Sequence, residues 1–149
     1  MEKVMFGLII FTLAVCANAN DTIYKDGTRC YCDYIYRTYY EDGALAWEIP
    51  YKNGKKNGLA KGYYESGALA WEYPKKNGKM NGLAKRYYES GALEWEVPYK
   101  NGKENGIKKE YFSSGEIEST ATYRNGILQG YKHCSDGRIG NDNLDCSVQ

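Results

Sequence analysis

The sequence predicts an all-β protein, an elongated antiparallel β-meander built from 24-residue hairpin repeats. Three observations predict it. One block of sequence recurs three times in succession, apolar and polar residues alternate within it, and Gly-containing turn signals fall at fixed places. From Tyr39 the chain reads YYEDGALAWEIPYKNGKKNGLAKG, from Tyr63 YYESGALAWEYPKKNGKMNGLAKR, and from Tyr87 YYESGALEWEVPYKNGKENGIKKE. Sixteen of the 24 positions are identical in all three copies. In such an array each unit buries its apolar surface against its neighbours, and the terminal units are atypical.

The elements follow in chain order. Residues 1–19 read as a signal peptide: a charged start at Glu2-Lys3, an apolar run from Val4 to Val15 too short to span a bilayer, and Ala17-Asn18-Ala19 as a cleavage site near Ala19. The chain is therefore expected to be exported: secreted, periplasmic or held at the cell surface. Cys16 lies in a stretch with some likeness to a lipoprotein box, with Val15 where a small residue is wanted. Residues 20–38 form an N-terminal cap, in which Ile23-Tyr24-Lys25-Asp26-Gly27 looks like the tail of a further repeat. The array covers 39–130, divided as 39–62, 63–86, 87–110 and a degenerate copy at 111–130; residues 131–149 form a C-terminal cap.

Within a unit, Leu69, Trp71 and Tyr73 alternate with Ala70, Glu72 and Pro74, the period of a strand. A second strand over Leu59–Glu65 joins it through Ser66-Gly67, and the other connection carries Asn77-Gly78 and Asn81-Gly82. These are residues that supply the positive φ of tight turns. If Ser66-Gly67 is a two-residue turn, Lys61 faces Glu72 and Tyr64 faces Leu69; equivalent positions pair Lys85 with Glu96 and Arg37 with Glu48. Opposite charges then lie directly across each hairpin. Tyr64, Leu69, Trp71 and Tyr73 share one face, and Tyr63, Lys61 and Glu72 the other.

Composition narrows the function. The chain has 149 residues, and its 20 basic and 19 acidic side chains leave a net charge of +1, which argues against a nucleic-acid partner. Of 25 Leu, Ile, Val and Phe residues, eight lie in the first 19, whereas all 16 Tyr and all 3 Trp lie beyond them. That is the composition of a thin aromatic sheet, and it makes a large enzyme core unlike this chain.

No catalytic set emerges, and the chain is read as a non-enzyme without a cofactor. His133 is the only histidine, and its neighbours Ser135 and Asp136 are adjacent in sequence, with no scaffold to set them as a triad. Glu48, Glu72 and Glu96 each have a basic partner across the hairpin. Cys30, Cys32, His133 and Cys134 are zinc-type ligands, but eight strands of repeat would hold the two pairs roughly 40 Å apart. Asp136, Asn141, Asp142, Asn143 and Asp145 lack the spacing of a calcium loop. Export favours disulfides, and Cys134 with Cys146 is expected to close the C-terminal cap. Cys30 and Cys32, two apart, have three open fates: a strained bridge, free thiols or a partner chain.

The remaining candidate surface is an aromatic ladder. Trp47, Trp71 and Trp95 recur on every second strand, about 10 Å apart, with Tyr40, Tyr64 and Tyr88 between them. Two readings are open: these rings are the core, or they are an exposed binding platform. Lys52, Lys76 and Lys100 mark a basic rim at the Asn-Gly loops, suited to an anionic surface.

The pattern Y-Y-E-S-G-A-L-A-W-E followed by Y-K-N-G-K-x-N-G resembles the variant MORN repeat, as in the bacterial YwqK-family antitoxins, over residues 39–130. The resemblance implies a scaffold or binding surface, and its label adds a toxin-neutralising role. The expected function is an exported repeat protein that binds a protein partner along its sheet. Attachment to an anionic membrane or to a cell-wall glycan is one alternative, and toxin neutralisation the other.

Overall fold

The computed structural model describes residues 33–147. The expectations for the signal peptide, Cys16, Cys30 and Cys32 lie outside the described residues. Within them the protein is all-β, one open antiparallel sheet of fourteen strands. These are β1 (Tyr34–Tyr39), β2 (Leu45–Lys52), β3 (Lys55–Lys56), β4 (Gly58–Tyr63), β5 (Leu69–Lys76), β6 (Lys79–Met80) and β7 (Gly82–Tyr87). They continue as β8 (Leu93–Lys100), β9 (Lys103–Glu104), β10 (Gly106–Tyr111), β11 (Ile117–Arg124), β12 (Ile127–Leu128), β13 (Lys132–Cys134) and β14 (Ile139–Gly140). The main path runs β1-β2-β4-β5-β7-β8-β10-β11-β13-β14 in chain order without a crossover, and β3, β6, β9 and β12 pair off it.

The expected ion-pair register is present: Arg37 opposes Glu48, Lys61 opposes Glu72 and Lys85 opposes Glu96. The turn differs from the expectation. Tyr64 N–H donates to Ala68 O, and Gly67 N–H to Tyr64 O, so the loop is the three residues Glu65-Ser66-Gly67 with Gly67 at φ +83°. This is a type I turn closed by a left-handed residue. Tyr63, not Tyr64, reaches Leu69, and the register shifts between there and Gly62 opposite Trp71. Ala70 is the extra residue of that bulge. The bulge moves Leu69 off the tryptophan face and beside Tyr63, and cancels the longer turn so that Lys61 still meets Glu72.

At the other end of each hairpin Asn53-Gly54, Asn77-Gly78, Asn101-Gly102 and Asn125-Gly126 have both residues at positive φ, as a two-residue hairpin turn requires. The second Asn-Gly pair does other work. The Asn57, Asn81 and Asn105 side-chain oxygens accept the N–H of Asn77, Asn101 and Asn125 at 3.2, 3.3 and 3.4 Å. Each turn is thereby docked on the turn of the preceding copy.

A second tie lies at the opposite edge. The hydroxyls of Tyr40, Tyr64 and Tyr88 donate to the carbonyls of Tyr63, Tyr87 and Tyr111, one copy on, at 2.5, 2.6 and 2.8 Å. The fourth copy carries Phe112 at this position. Tyr64→Phe removes one such bond while keeping the ring, and should cost about 1 kcal/mol by urea unfolding.

The sheet has two unlike faces. On the outer face Arg37, Glu48, Lys61, Glu72, Lys85, Glu96 and Lys109 form one unbroken row of alternating sign, each opposite the next across successive strands. Arg37–Glu48 closes at 2.8 Å and Lys109–Glu96 at 3.1 Å, while Lys61–Glu72 spans 4.0 Å. Tyr87 and Tyr111 donate to Glu72 and Glu96 at 3.1 Å each. Burial raises the Glu96 carboxyl, but the hydrogen bonds from Lys109 and Tyr111 outweigh it and hold the group below its ordinary value. The inner face carries the buried residues Ile49, Ala60, Ala84, Val97, Ala121 and Tyr123. Small residues dominate because a single sheet has no second layer to bury large ones, and Ala60 and Ala84 sit opposite the larger Tyr73 and Val97.

Candidate functional site on the inner face

One row crosses the whole inner face: Thr38, Trp47, Gly62, Trp71, Arg86, Trp95, Glu110, Ser119 and Cys134, each opposite the next. The sheet therefore brings Trp47, Trp71 and Trp95 together, with one intervening residue between each pair. Trp71 stacks on Tyr73 at 4.5 Å, and Tyr73 on Trp95 at 6.0 Å. Trp47 stands apart, 36% exposed.

Between Trp47 and Trp71 lies Gly62. A Cβ there would fall 2.1 Å from the Trp71 ring, so the indole occupies the space a side chain would take. Beside the small Ala70 a groove of about 340 Å³ opens, lined by Tyr40, Trp47, Tyr63, Tyr64, Ala70, Trp71, Tyr73 and Arg86. Tyr40, Tyr64 and Tyr88 flank the row as expected in sequence, but their hydroxyls are engaged in joining copies, and only their rings are on offer.

The third and fourth copies fill the same row differently. Glu94 and Glu118 stand where the first two copies have Ala46 and Ala70. Arg86 bonds Glu94 at 2.9 Å. Glu110 is held by Lys108 at 2.8 Å, Lys132 at 2.7 Å and the Ser119 hydroxyl at 2.5 Å. Burial pushes the Glu110 carboxyl up, yet these three donors outweigh it and hold the pKa at about 2. Burial, and then the Glu110 charge, push the neighbouring Glu118 carboxyl up.

Residues 141–147 close this end of the face. Cys146 is bonded to Cys134, the last member of the row, with Cα atoms 5.4 Å apart. The Tyr123 hydroxyl donates to Asp142, and Arg138 donates to the carbonyls of Asp145 and Cys146 at 3.0 and 3.1 Å. Asp145 and Cys146 face Tyr88 and Trp95 across a cavity of about 250 Å³. Ser119, in the tryptophan position of the fourth copy, is 2% exposed.

Lys52, Lys76 and Lys100 lie away from this groove, exposed beside the Asn-Gly turns. Each is paired directly with another lysine, Lys55, Lys79 and Lys103. The described residues hold no group of three or more His, Cys, Asp or Glu side chains placed to bind a metal ion.

Alternation places Tyr73 on the tryptophan face, as found, but does not bring Gly62, Ala70, Arg86, Glu94 and Glu110 onto that surface. The signal was in the positions at which the copies differ. Eight of 24 differ, and in the first copy these are Asp42, Ala46, Ile49, Tyr51, Lys56, Leu59, Ala60 and Gly62. Six of them, all but Asp42 in the turn and Leu59, fall on the inner face. Leu59 is on the outer face and changes only to Leu83 and Ile107.

The variant MORN repeat family matches residues 35–53, 80–101 and 104–125, and each match falls on the strands and turns just described. The chain carries variant MORN repeats at these three places. No curated protein matches this MORN-repeat chain in sequence. Among solved structures, a chain of the glycosylation associate protein (Gap123) complex from Streptococcus agalactiae is similar over 80% of this chain, at 17% identity and a TM-score of 0.41. The present chain spans 22% of the length of that one.

Proposed function

We propose that this repeat protein is an exported, non-enzymatic scaffold that binds a protein partner across its inner face. The observation that carries the reading is where the copies diverge. The outer face keeps its charge row from copy to copy, as alternation of sign demands. The inner face differs along its length, from neutral and aromatic at Trp47 and Trp71 to ionic at Arg86, Glu94 and Glu110. A surface that served only to stack repeats would have no need of that gradient. Trp and Tyr rings beside an Arg are the groups that anchor protein interfaces. Export is supported by the first 19 residues and by the Cys134–Cys146 disulfide, a bond of oxidising compartments. A toxin-neutralising role would use the same face, with the toxin as partner.

A second reading has its own observation. Lysine directly opposite lysine in three successive hairpins is an unfavourable cross-strand pairing. Burial, and then the Lys56 charge, also draw the nearby Lys75 ammonium below its ordinary pKa. An anionic surface, membrane or glycan, would relieve that repulsion.

Affinity capture with the mature protein tests both. Loss of the captured protein in Trp47→Ala and Ala70→Glu, with retention in the outer-face variant Leu83→Ser, is the expected result. Capture unaffected by the two inner-face variants sinks the first reading. Co-sedimentation with phosphatidylglycerol vesicles, abolished by Lys76→Glu/Lys79→Glu, would favour the second.

A further inference from the structure

We propose that the groove lined by Trp47, Ala70 and Trp71 takes a proline-rich segment of the partner, in polyproline II conformation, laid along the tryptophan row. This rests on the inner face being the binding face. Three features point to that occupant.

The first is spacing. Trp47, Trp71 and Trp95 sit on every second strand of the main path, so their backbones repeat at about 9.6 Å. A polyproline II helix advances about 9.3 Å per turn of three residues. A segment crossing the strands therefore presents every third side chain to the same point between successive tryptophans. One falls in the groove beside Ala70, between Trp47 and Trp71, and the next over Arg86.

The second is the chemistry of the lining. The groove offers aromatic ring faces and the Arg86 guanidinium, and no carboxylate or amide side chain. A proline-rich chain presents pyrrolidine rings and unpaired carbonyls but few N–H groups, so it needs apolar ridges and donors rather than acceptors. The groove's side-chain acceptors are tyrosine hydroxyls alone, fewer than the many hydroxyls of a sugar chain call for. Arg86 is already oriented by Glu94 at 2.9 Å.

The third is a peptide already on this face. At the fourth copy, residues 141–147 lie against Tyr123 and beside Trp95, held by the Cys134–Cys146 bond and by Arg138 donating to main-chain carbonyls. The inner face thus accepts an irregular polypeptide, with a guanidinium reading its backbone, and the first two copies leave the equivalent position open.

Calorimetric titration of the full mature protein with decaproline, a Gly-Ser decapeptide and chitohexaose tests the proposal. Decaproline should bind at least about tenfold more tightly than either of the others. Ala70→Glu installs the residue that the third copy carries at the same place, Glu94, and should weaken decaproline at least about tenfold. If Ala70→Glu lacks the wild-type circular dichroism spectrum, Trp47→Ala, which removes an exposed ring, replaces it with the same expectation. Decaproline no tighter than Gly-Ser, tighter binding of chitohexaose, or indifference to a folded variant each overturns it. If these variants abolish partner capture while decaproline does not bind, the inner-face reading stands and the polyproline ligand falls. If capture also survives, both fall.

Discussion

Gly106→Ala should destabilise the protein by about 3 kcal/mol, whereas Gly115→Ala should cost about 1 kcal/mol. Both glycines have left-handed backbone, at φ +135° and +91°. A Cβ on Gly115 would meet nothing within 4 Å, so only the backbone preference is lost. A Cβ on Gly106 would lie 2.6 Å from Cγ of Pro98, a ring fixed in the middle of β8. The strain and the overpacking then add. Gly58 and Gly82 meet Pro50 and Pro74 in the same way, at 2.8 and 3.0 Å. Proline is tolerated inside these strands because it faces the irregularity at the second Asn-Gly, where Asn105 N–H turns to the Pro98 carbonyl at 2.8 Å. In the double variant Gly106→Ala/Pro98→Ala the steric part disappears, so its cost should fall short of the two single costs added, by about 2 kcal/mol. Urea unfolding of the four proteins measures this. Equal losses for Gly106→Ala and Gly115→Ala would show that the proline contact carries no energy.

The same glycine explains what could and could not be read from the sequence. Two Asn-Gly pairs four residues apart announce two positive-φ positions, and both are present. Their different roles depend on Pro50, Pro74 and Pro98 reaching across the hairpin, a contact between residues eight apart that local turn chemistry does not encode. The hairpin register was legible because Lys61 with Glu72 and Arg37 with Glu48 leave one sensible pairing. The turn length was not, since Ala70 is small enough to suit either a regular strand or a bulge. Its bulge and the extra loop residue cancel at Lys61, so the two errors conceal each other. Pairing between hairpins was beyond local reading for a related reason. The bulged stretch at Asn57-Gly58 offsets β3 from β4 along β2, and only that offset sets Trp47 opposite Gly62 and Glu48 opposite Lys61. The charge row and the tryptophan row are both consequences of it. The tryptophan spacing could be anticipated; the residues standing between the rings could not, and they make the groove.

At the ionic end of that row, Glu110 should make the fold acid-sensitive. Its carboxylate accepts from Lys108, Lys132 and Ser119, and these hold its pKa at about 2 against burial. A carboxyl depressed by folding contributes stability that is complete above its unfolded value, near 4.5, and is lost as the pH falls through the folded value. The window is therefore about pH 4.5 down to 2, and the full contribution is on the order of 3 kcal/mol. Glu118 has the opposite sign. Its carboxyl is raised by burial and by Glu110, so protonating it relieves the fold. Glu110→Gln should lose about 2 kcal/mol or more at pH 7, because Lys108 and Lys132 then face one another without the shared anion. Its stability should also fall less steeply than that of wild type between pH 4.5 and 2. Glu118→Gln, by contrast, should be at least as stable as wild type at pH 7. Urea midpoints for the three proteins at pH 7, 4 and 2.5 decide the matter. Other depressed carboxyls, Glu96, Asp136 and Asp145, add acid sensitivity of the same sign to all three proteins and cancel in the comparison. A Glu110→Gln profile parallel to wild type would mean that the three donors solvate this carboxylate no better than water does. The inner face would then owe its order at this end to the Cys134–Cys146 bond and to the segment it pins.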